Sequence, residues 1–380
     1  MRAKPVESRC RTAHDIGEDR GGCWEGVSVR PVSVLWLTGA PGVGKSTVGW
    51  ALYGLAQAQH RLVAYIDIDQ LGLIAPAPVG DPDYHQLETT NLVEVLGTFR
   101  RHGAEQVIVS GVVDPHHGIS PYLRDTTDFE FTLIRLRCTR EELQSRYLAR
   151  GSSAERVEEA MVVADTLDRN AVGAPLDTTA LSPGEVVGML ADRLRLLEPE
   201  VLVPGSVSAR SAVSEQCPVL LLVGPTAVGK STVGWEALRM LWGRGLTAAY
   251  IDADQLGFFT ADSALKIKAD NLIQIWRGYR RAGARALIVV ARGTPHPYQH
   301  ALAGEHVTTV CLQASQSELA KRIAQRSRGD GARLAGDSLI AASAQQQQRL
   351  LSRSSTEAAV LQRCHDGAGP STPSIERVRQ

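Results

Sequence analysis

The sequence lacks a charge excess, paired cysteines and any long apolar run. Lysine plus arginine and aspartate plus glutamate number 41 each, so no overall field attracts nucleic acid or an anionic membrane. The longest apolar runs, VLLLVG and ALIVVA, are far shorter than the roughly 20 residues of a membrane span. The six cysteines form no CxxC pair and no zinc-ligand spacing. We therefore expect a protein of the reducing cytoplasm, with neither nucleic acid nor membrane as its partner.

The chain also begins without the apolar core of a secretory signal. Its start is polar, and we expect residues 1–30 to form a poorly ordered extension. A length of 380 residues exceeds what one hydrophobic core usually accommodates, so the remainder is expected to form two domains.

What the chain does contain is a long internal repeat. The stretch GAPGVGKSTVGW at Gly39–Trp50 returns as GPTAVGKSTVGW at Gly224–Trp235. AYIDIDQLG at Ala64–Gly72 likewise returns as AYIDADQLG at Ala249–Gly257. Further on, NLVEVLGTFRRHGAEQVIVSG corresponds to NLIQIWRGYRRAGARALIVVA, after a proline-rich insertion in the first copy. Because the repeat is as long as a domain, it indicates duplication of a whole folding unit.

Each copy alternates short apolar runs with helical stretches, the pattern of a mainly parallel sheet with helices on both faces. We predict two tandem three-layer α/β/α domains at 31–198 and 217–380, joined by a linker at 199–216 that is rich in Ser, Pro and Val. The end of the second copy, LQRCHDGAGPSTPSIERVRQ, only loosely resembles the first copy. Its fifth strand is therefore doubtful, and we expect this part to be degenerate.

Both copies contain G-x-x-x-x-G-K-[ST] between an apolar strand and an amphipathic helix, which is the context of a phosphate-binding P-loop. Glycines let the loop amides turn toward phosphate oxygens, and the helix N-terminus favours the same anion. Lys45 and Lys230 should reach the β- and γ-phosphates of ATP, while the hydroxyls of Ser46 and Ser231 should coordinate Mg²⁺. The expected nucleotide-binding residues are Gly39, Gly42, Gly44, Lys45, Ser46, Thr47, Gly224, Gly229, Lys230, Ser231 and Thr232.

A pair of acids ends the second strand of each copy. These are Asp67 and Asp69 in the first copy and Asp252 and Asp254 in the second. Alternate residues of a strand point to opposite faces, so one carboxylate can face the phosphates while the other braces the loop or binds Mg²⁺. A carboxylate beside the γ-phosphate can orient or deprotonate an acceptor hydroxyl. A plain helix-capping role for either acid remains open.

The sequence departs from motor ATPases and GTPases. A motor ATPase needs a carboxylate at the end of the next apolar strand, but Asp114 comes several residues late and the second copy has no acid there. No NKxD-like element for guanine and no LSGGQ-like element of a transporter ATPase occurs.

Strand, P-loop, helix and a second strand with an Asp-rich turn together resemble the small P-loop kinases that phosphorylate metabolites. Adenylylsulfate kinase, with its D-G-D-N turn, is the nearest in pattern, and gluconate, shikimate and chloramphenicol kinases share the plan. The resemblance implies that Asp67 and Asp252 are catalytic bases acting beside Lys45 and Lys230. It also implies that Asp69 and Asp254 bind the acceptor or the metal.

Kinases of this plan close a lid whose arginines neutralise the transferred phosphoryl group. Arg146 and Arg150, four residues apart on one helical face, match that role, as do Arg322 and Arg326 in the second copy. An ordinary solvated helix face explains the same spacing, and both interpretations stay open.

The two copies are not equivalent, because Thr294 stands for Asp114, Lys268 for Glu88, and Arg292 is new in the second copy. We expect both copies to bind nucleotide and the first to be the catalyst. The favoured function is transfer of the ATP γ-phosphate to a hydroxyl of a small molecule. The alternative is a nucleotide-dependent switch or scaffold without an acceptor substrate. The sequence identifies neither the acceptor nor the oligomeric state.

Overall fold

Two mainly parallel β-sheets, with helices packed on both faces, form the computed structural model of the chain. The α/β class predicted from the sequence is confirmed. The expected extension at 1–30 and the expected linker before Glu215 lie outside the described residues. The structure describes residues 31–123, 127–149, 153–195, 215–261, 264–329, 334, 336–337, 339–340, 342–366 and 375–379.

The first half alternates strands and helices as its apolar pattern indicates. Its elements are β1 (Val32–Thr38), α1 (Lys45–Ala58), β2 (Val63–Asp67), β3 (Ile74–Ala75), α2 (His85–Arg101), β4 (Gln106–Ser110), β5 (Phe129–Arg137), α3 (Arg140–Leu148), α4 (Ala154–Arg169), β6 (Ala174–Asp177) and α5 (Pro183–Arg195).

The second half repeats the order of the first six elements and then adds a short helix, His296–Ala301, before its next strand. Its elements are β7 (Pro218–Val223), α6 (Lys230–Gly243), β8 (Ala248–Asp252), β9 (Phe258–Phe259), α7 (Ala264–Arg281), β10 (Ala286–Ala291), α8 (His296–Ala301), β11 (His306–Gln313), α9 (Gln316–Ser327), α10 (Ala344–Asp366) and β12 (Ile375–Arg379). The doubtful fifth strand of this copy is present as β12, parallel to β11.

The two sheets have the same strand arrangement. The first has the order β6-β5-β1-β4-β2-β9 and the second β12-β11-β7-β10-β8-β3. All neighbouring strands run parallel except the last pair of each sheet. In both sheets the strand before the P-loop therefore lies centrally, with its carboxyl end beside that of the neighbour that follows the second helix.

The sheets exchange one short strand at their edges. β3 of the first half pairs antiparallel with β8, and β9 of the second half pairs antiparallel with β2. The Tyr250 N–H donates to the Leu73 carbonyl at 2.8 Å, and the Leu73 N–H donates to the Tyr279 hydroxyl at 2.9 Å. Reciprocally, the Thr260 N–H donates to the Val63 carbonyl at 3.2 Å. Each half thus completes the sheet of the other, as the partners of a two-fold dimer do.

One cluster of buried apolar side chains continues through both halves. It includes the fully buried Trp36, Phe99, Trp276, Tyr279 and Tyr298. Two further clusters lie one in each half and pack α1 and α6 against their own sheets. Because apolar burial is the main favourable term in folding, the shared cluster makes the halves parts of one packed body.

Helices α2 and α7 approach each other closely where the halves meet. A Cβ added at Gly278 would lie 1.7 Å from the Asn91 Oδ1, so only glycine fits there. Asn91 in turn donates its Nδ2 to the Leu71 carbonyl at 2.8 Å, and Asn271 donates to the Leu256 carbonyl at 2.7 Å. These two buried amides fix the segments that follow the two acid pairs.

None of the described helices is long and apolar enough to cross a membrane.

The exchanged strand can be tested with Thr260→Val. The Thr260 hydroxyl accepts from the Val63 N–H at 3.1 Å and donates to the Arg61 carbonyl, so an isosteric valine removes both hydrogen bonds and leaves these two groups only their 3.0 Å contact with each other. We expect the free energy of unfolding to fall by about 1–3 kcal/mol in urea titrations. Thr90→Val, which removes an exposed hydroxyl bonded within its own helix, is the control and should cost less. Equal losses for the two variants would contradict a structural role for the exchange.

Candidate functional site

The first P-loop lies between β1 and α1 and requires glycine at two of its turns. Gly39 has a φ of 138°, and a Cβ there would lie 2.3 Å from the Leu136 carbonyl oxygen. Gly42 has a φ of 90°, and a Cβ there would meet the Tyr147 ring at 2.4 Å. Side chains at these positions are excluded both by the backbone conformation and by the neighbouring β5 and α3.

The second loop differs from the first at three positions, one of which replaces a glycine. Ala227, aligned with Gly42, has a φ of 65°, a left-handed conformation that costs a non-glycine residue about 1 kcal/mol. Strain of this size is tolerated where the surrounding structure fixes the backbone.

In both loops the lysine folds back over the loop. The Lys45 Nζ donates to the carbonyls of Gly39 at 3.0 Å and Ala40 at 3.1 Å. The Lys230 Nζ donates to those of Gly224 at 2.9 Å and Pro225 at 3.0 Å. Both side chains are buried, whereas Thr47 and Thr232 are exposed in the first turns of α1 and α6. Each ammonium therefore lies inside the loop, where the phosphates of a nucleotide would meet it.

The first acid pair lies directly beside this loop. The Ser46 hydroxyl donates to Asp67 Oδ2 at 2.8 Å, and the Asp69 N–H donates to Asp67 Oδ1 at 3.2 Å. Burial, together with the charge of Asp69, raises the pKa of Asp67 to about 6. The predicted catalytic base and the predicted Mg²⁺ ligand thus lie in contact. Oxygen donors of this kind suit Mg²⁺, so the residues present fit that ion.

A third carboxyl group, that of Glu88 on α2, lies close to Asp67 and Asp69. Burial, with the nearby charges of Asp69, Asp81 and Asp67, raises its pKa to about 9. The Glu88 side chain contacts Gly72, where a Cβ would lie 2.5 Å from its Oε1. The sequence draws attention to this position only through its exchange for Lys268 in the second copy.

The second acid pair has a different electrostatic setting. The Lys268 Nζ lies 2.9 Å from Asp254 Oδ1, and the Arg292 Nε lies 2.8 Å from Asp254 Oδ2. Burial alone would raise the pKa of Asp254, but Arg292 and Lys268 outweigh it and hold the pKa below its usual range. For Asp252, burial and the charge of Asp254 raise the pKa to about 7. Both oxygens of Asp254 are therefore engaged by cations of the chain itself.

The expected lid arginines contact the P-loops directly. The Arg146 Nη1 donates to the Val43 carbonyl at 3.1 Å, and the Arg322 Nη1 donates to the Val228 carbonyl at 2.6 Å. Arg326 forms an ion pair with Asp337 at 2.7 Å, and Arg150 lies outside the described residues. Arg146 and Arg322 thus support the loop backbone, and their role as lid residues stays a prediction.

Asp114 forms hydrogen bonds within the loop that follows β4. Its carboxylate accepts from the N–H groups of His116 at 2.7 Å and His117 at 3.1 Å, and it lies 2.9 Å from the His117 Nδ1. Within the part of the chain that the structure describes, no cluster of three or more His, Cys, Asp or Glu side chains could hold a metal ion.

The sequence patterns miss one contact of the second loop entirely. The long helix α10 brings Glu357 to Thr226, whose N–H donates to Glu357 Oε2 at 2.9 Å. The Ser354 hydroxyl, one turn away, donates to the Thr226 carbonyl at 3.1 Å. Glu357 belongs to no sequence motif, and the segment around it has no counterpart in the first copy. Sequence comparison between the copies therefore gives no sign of this contact.

A family model described as an AAA domain matches residues 35–166, which include the first P-loop and the first acid pair. No curated protein matches the chain. The first half of the chain therefore contains a P-loop domain, in agreement with the motif.

Several solved structures are similar to the chain at low identity. The tunicamycin resistance protein of Deinococcus radiodurans is 19% identical, covering 44% of this chain and 97% of that chain, with a TM-score of 0.35. A gluconokinase from Sinorhizobium meliloti 1021 is 19% identical, with 44% and 97% covered and a TM-score of 0.32. A shikimate kinase from Bacteroides thetaiotaomicron is 17% identical, with 43% and 99% covered and a TM-score of 0.29.

The environment of Glu88 predicts a pH-dependent stability. Because its pKa rises from 4.5 to about 9 on folding, the folded state keeps a proton that the unfolded state releases between those values. Stability attributable to this group is thus lost as pH rises through that window, by up to about 1.4 kcal/mol per pH unit.

Glu88→Gln should remove this loss and stabilise the protein at pH 8, which urea unfolding at pH 6, 7 and 8 would measure. Glu94→Gln, on the same helix with a 43% exposed side chain, is the control and should leave the pH dependence unchanged. A Glu88→Gln variant with the pH dependence of the wild type would contradict a buried neutral carboxyl.

Proposed function

We propose that the chain is a tandem P-loop kinase whose first site transfers the γ-phosphoryl group of ATP to a hydroxyl of a small molecule. The observation that carries this proposal is the contact of Ser46 with Asp67 beside Lys45. It joins a phosphate-binding lysine, a metal-binding hydroxyl and a carboxylate with a pKa of about 6 in one place. A general base is most effective when its pKa lies near the working pH.

The proposal includes a duplication of the domain, with units at 31–198 and 217–380. The shared element order, the matching lysine contacts and the matching asparagine contacts support it. The exchanged strands are also what an ancestral two-fold dimer would leave behind after fusion of its genes.

Lys45 would hold the β- and γ-phosphates, with the loop amides and the N-terminus of α1 around them. Ser46 would hold Mg²⁺, which when bound would neutralise charge on the phosphates. To reach the phosphates, the Lys45 Nζ exchanges the carbonyls of Gly39 and Ala40 for phosphate oxygens.

The acceptor would bind beside Asp69 and Glu88. Asp67 removes the proton from the acceptor hydroxyl as its oxygen bonds to the γ-phosphorus. The bond from the γ-phosphorus to the β–γ bridging oxygen breaks, ADP leaves, and Asp67 holds the proton until it passes to solvent. Asp69, which carries no ion pair among the described residues, is available to bind the acceptor.

The first site is the catalytic one in this proposal because its acids are available. In the second site both oxygens of Asp254 are held by Lys268 and Arg292. This pairing also favours a second candidate function, a nucleotide-dependent switch in which the second half binds ligand without chemistry. Release of ADP that requires an added small molecule supports a kinase. Tight ATP binding with no such release from any metabolite pool favours the switch.

The two P-loop lysines distinguish the roles of the sites. Lys45→Ala should reduce phosphoryl transfer about 100-fold or more, since it removes a charge-stabilising group from the reacting phosphates. Lys230→Ala should leave most of the transfer rate, measured as ADP release with pooled hydroxyl-bearing metabolites. Equal losses from the two changes would reject a single catalytic site.

The pKa of Asp67 predicts the pH profile of that reaction. Since the base must be ionised, the rate should fall about tenfold per pH unit below pH 6 and level off above it. Asp67→Asn should lower the plateau by about 10²–10⁴-fold, while Asp252→Asn should change it little. A plateau in Asp67→Asn equal to that of the wild type would show that another group accepts the proton.

A further inference from the structure

Helix α10 places a carboxylate in the second P-loop. The Glu357 Oε2 accepts from the Thr226 N–H at 2.9 Å and from the Thr226 hydroxyl at 3.2 Å. Thr226 is the third residue of the motif GPTAVGKS, whose N–H groups bind phosphate oxygens in working P-loops. The Glu357 side chain is 15% exposed and also pairs with Arg353 at 3.0 Å. It therefore holds, inside the protein, a position that suits an anion.

The cations around this carboxylate would outnumber the remaining acids once Glu357 leaves. Glu357 acts electrostatically on both Lys230 and Arg292, so it lies within reach of the loop lysine and of the acid pair. Three cations, Lys230, Lys268 and Arg292, surround the site. When Glu357 leaves, these three cations would face only two acids, Asp252 and Asp254, and the net charge there would favour an incoming anion.

One buried polar group beside this cluster has no hydrogen-bond partner among the described residues. The Tyr298 side chain is fully buried, and its hydroxyl has no hydrogen-bond partner among the described residues. The charges of Asp254, Arg292 and Asp252 all act on it, so it lies beside the same cluster. Buried hydroxyls without partners are uncommon in folded proteins, and a ligand oxygen would satisfy this one.

The first site keeps the loop lysine, Lys45, but has no counterpart of Lys268 or Arg292. Lys268 aligns with Glu88 and Arg292 aligns with Val112, so Asp69 has no matching ion pairs among the described residues. Asp254, by contrast, could bind a metal ion only by breaking the ion pairs with Lys268 and Arg292. Cations of the chain thus already occupy the carboxylate that aligns with Asp69 of the first site.

We propose that the second P-loop binds the phosphate groups of a nucleoside triphosphate without Mg²⁺, and that Glu357 leaves Thr226 as they enter. Lys230, Lys268 and Arg292 supply the positive charge that Mg²⁺ supplies in the first site. The contact of α10 with the loop makes this an anion-sensitive site, since binding must detach Glu357. The inference rests on the proposed function only in treating the second loop as a phosphate-binding loop.

Calorimetric titration of the full chain with ATP in excess EDTA tests the absence of a metal requirement. One molecule of ATP should bind per chain, and Lys230→Met should abolish this binding while Lys45→Met retains it. Sodium tripolyphosphate should displace the bound ATP if the site recognises phosphate. Loss of all binding in EDTA, binding lost with Lys45→Met instead, or failure of tripolyphosphate to compete would each overturn the proposal.

Glu357→Gln tests the internal anion and keeps the shape of the side chain. It should tighten ATP binding in EDTA about tenfold, because it removes a charged competitor for the Thr226 N–H. Glu236→Gln, an exposed glutamate of α6 in the same half, is the matched control and should not change the affinity. Unchanged affinity in Glu357→Gln would overturn the role of Glu357. Neither experiment measures phosphoryl transfer, so the outcome does not depend on whether the proposed kinase activity is confirmed.

Discussion

The hydrogen bonds between the exchanged strands are the constraint on which both sites depend. The Leu73 carbonyl and N–H are bound by Tyr250 and Tyr279 of the other half, directly after the segment that carries the first acid pair. Tyr250 itself belongs to β8, the strand that ends at Asp252. The acid pair of each site is thus anchored by backbone pairing to the other half. Together with the shared apolar cluster, this pairing holds two P-loops in one packed body.

Within that frame, two aligned positions give the sites different chemistry. Where the first half has Glu88 the second has Lys268, and where the first has Val112 the second has Arg292. In the first site the aligned residue is a buried neutral carboxyl, Asp69 forms no ion pair among the described residues, and the pKa of Asp67 lies near 6. In the second site the two cations bind Asp254 and lower its pKa. Charges interact strongly in buried surroundings. Two substitutions are therefore enough to make the second acid pair, whose Asp254 is bound by cations of the chain, chemically different from the first.

Much of the frame follows from the sequence, because the P-loop motif and the apolar strands are local patterns that the fold keeps. β1, β2, β4, β5 and β6 lie where the first copy has apolar runs, and Lys45, Ser46 and Asp67 come together as their spacing indicates. The exchange of β3 and β9 was not predictable, since two-residue strands leave no periodicity. The contact of Glu357 with Thr226 was not predictable either, because it is set by the packing of α10 and not by any motif.

The central claim is that the two P-loops have become chemically different, with metal-assisted binding in the first alone. The most direct measurement is anomalous diffraction from crystals of the full chain grown with Mn²⁺ and a non-hydrolysable ATP analogue. The account predicts one manganese peak, beside Ser46 and Asp67, and a polyphosphate without manganese against Thr226 and Lys230. Manganese peaks of equal height beside Ser46 and beside Ser231 would contradict it.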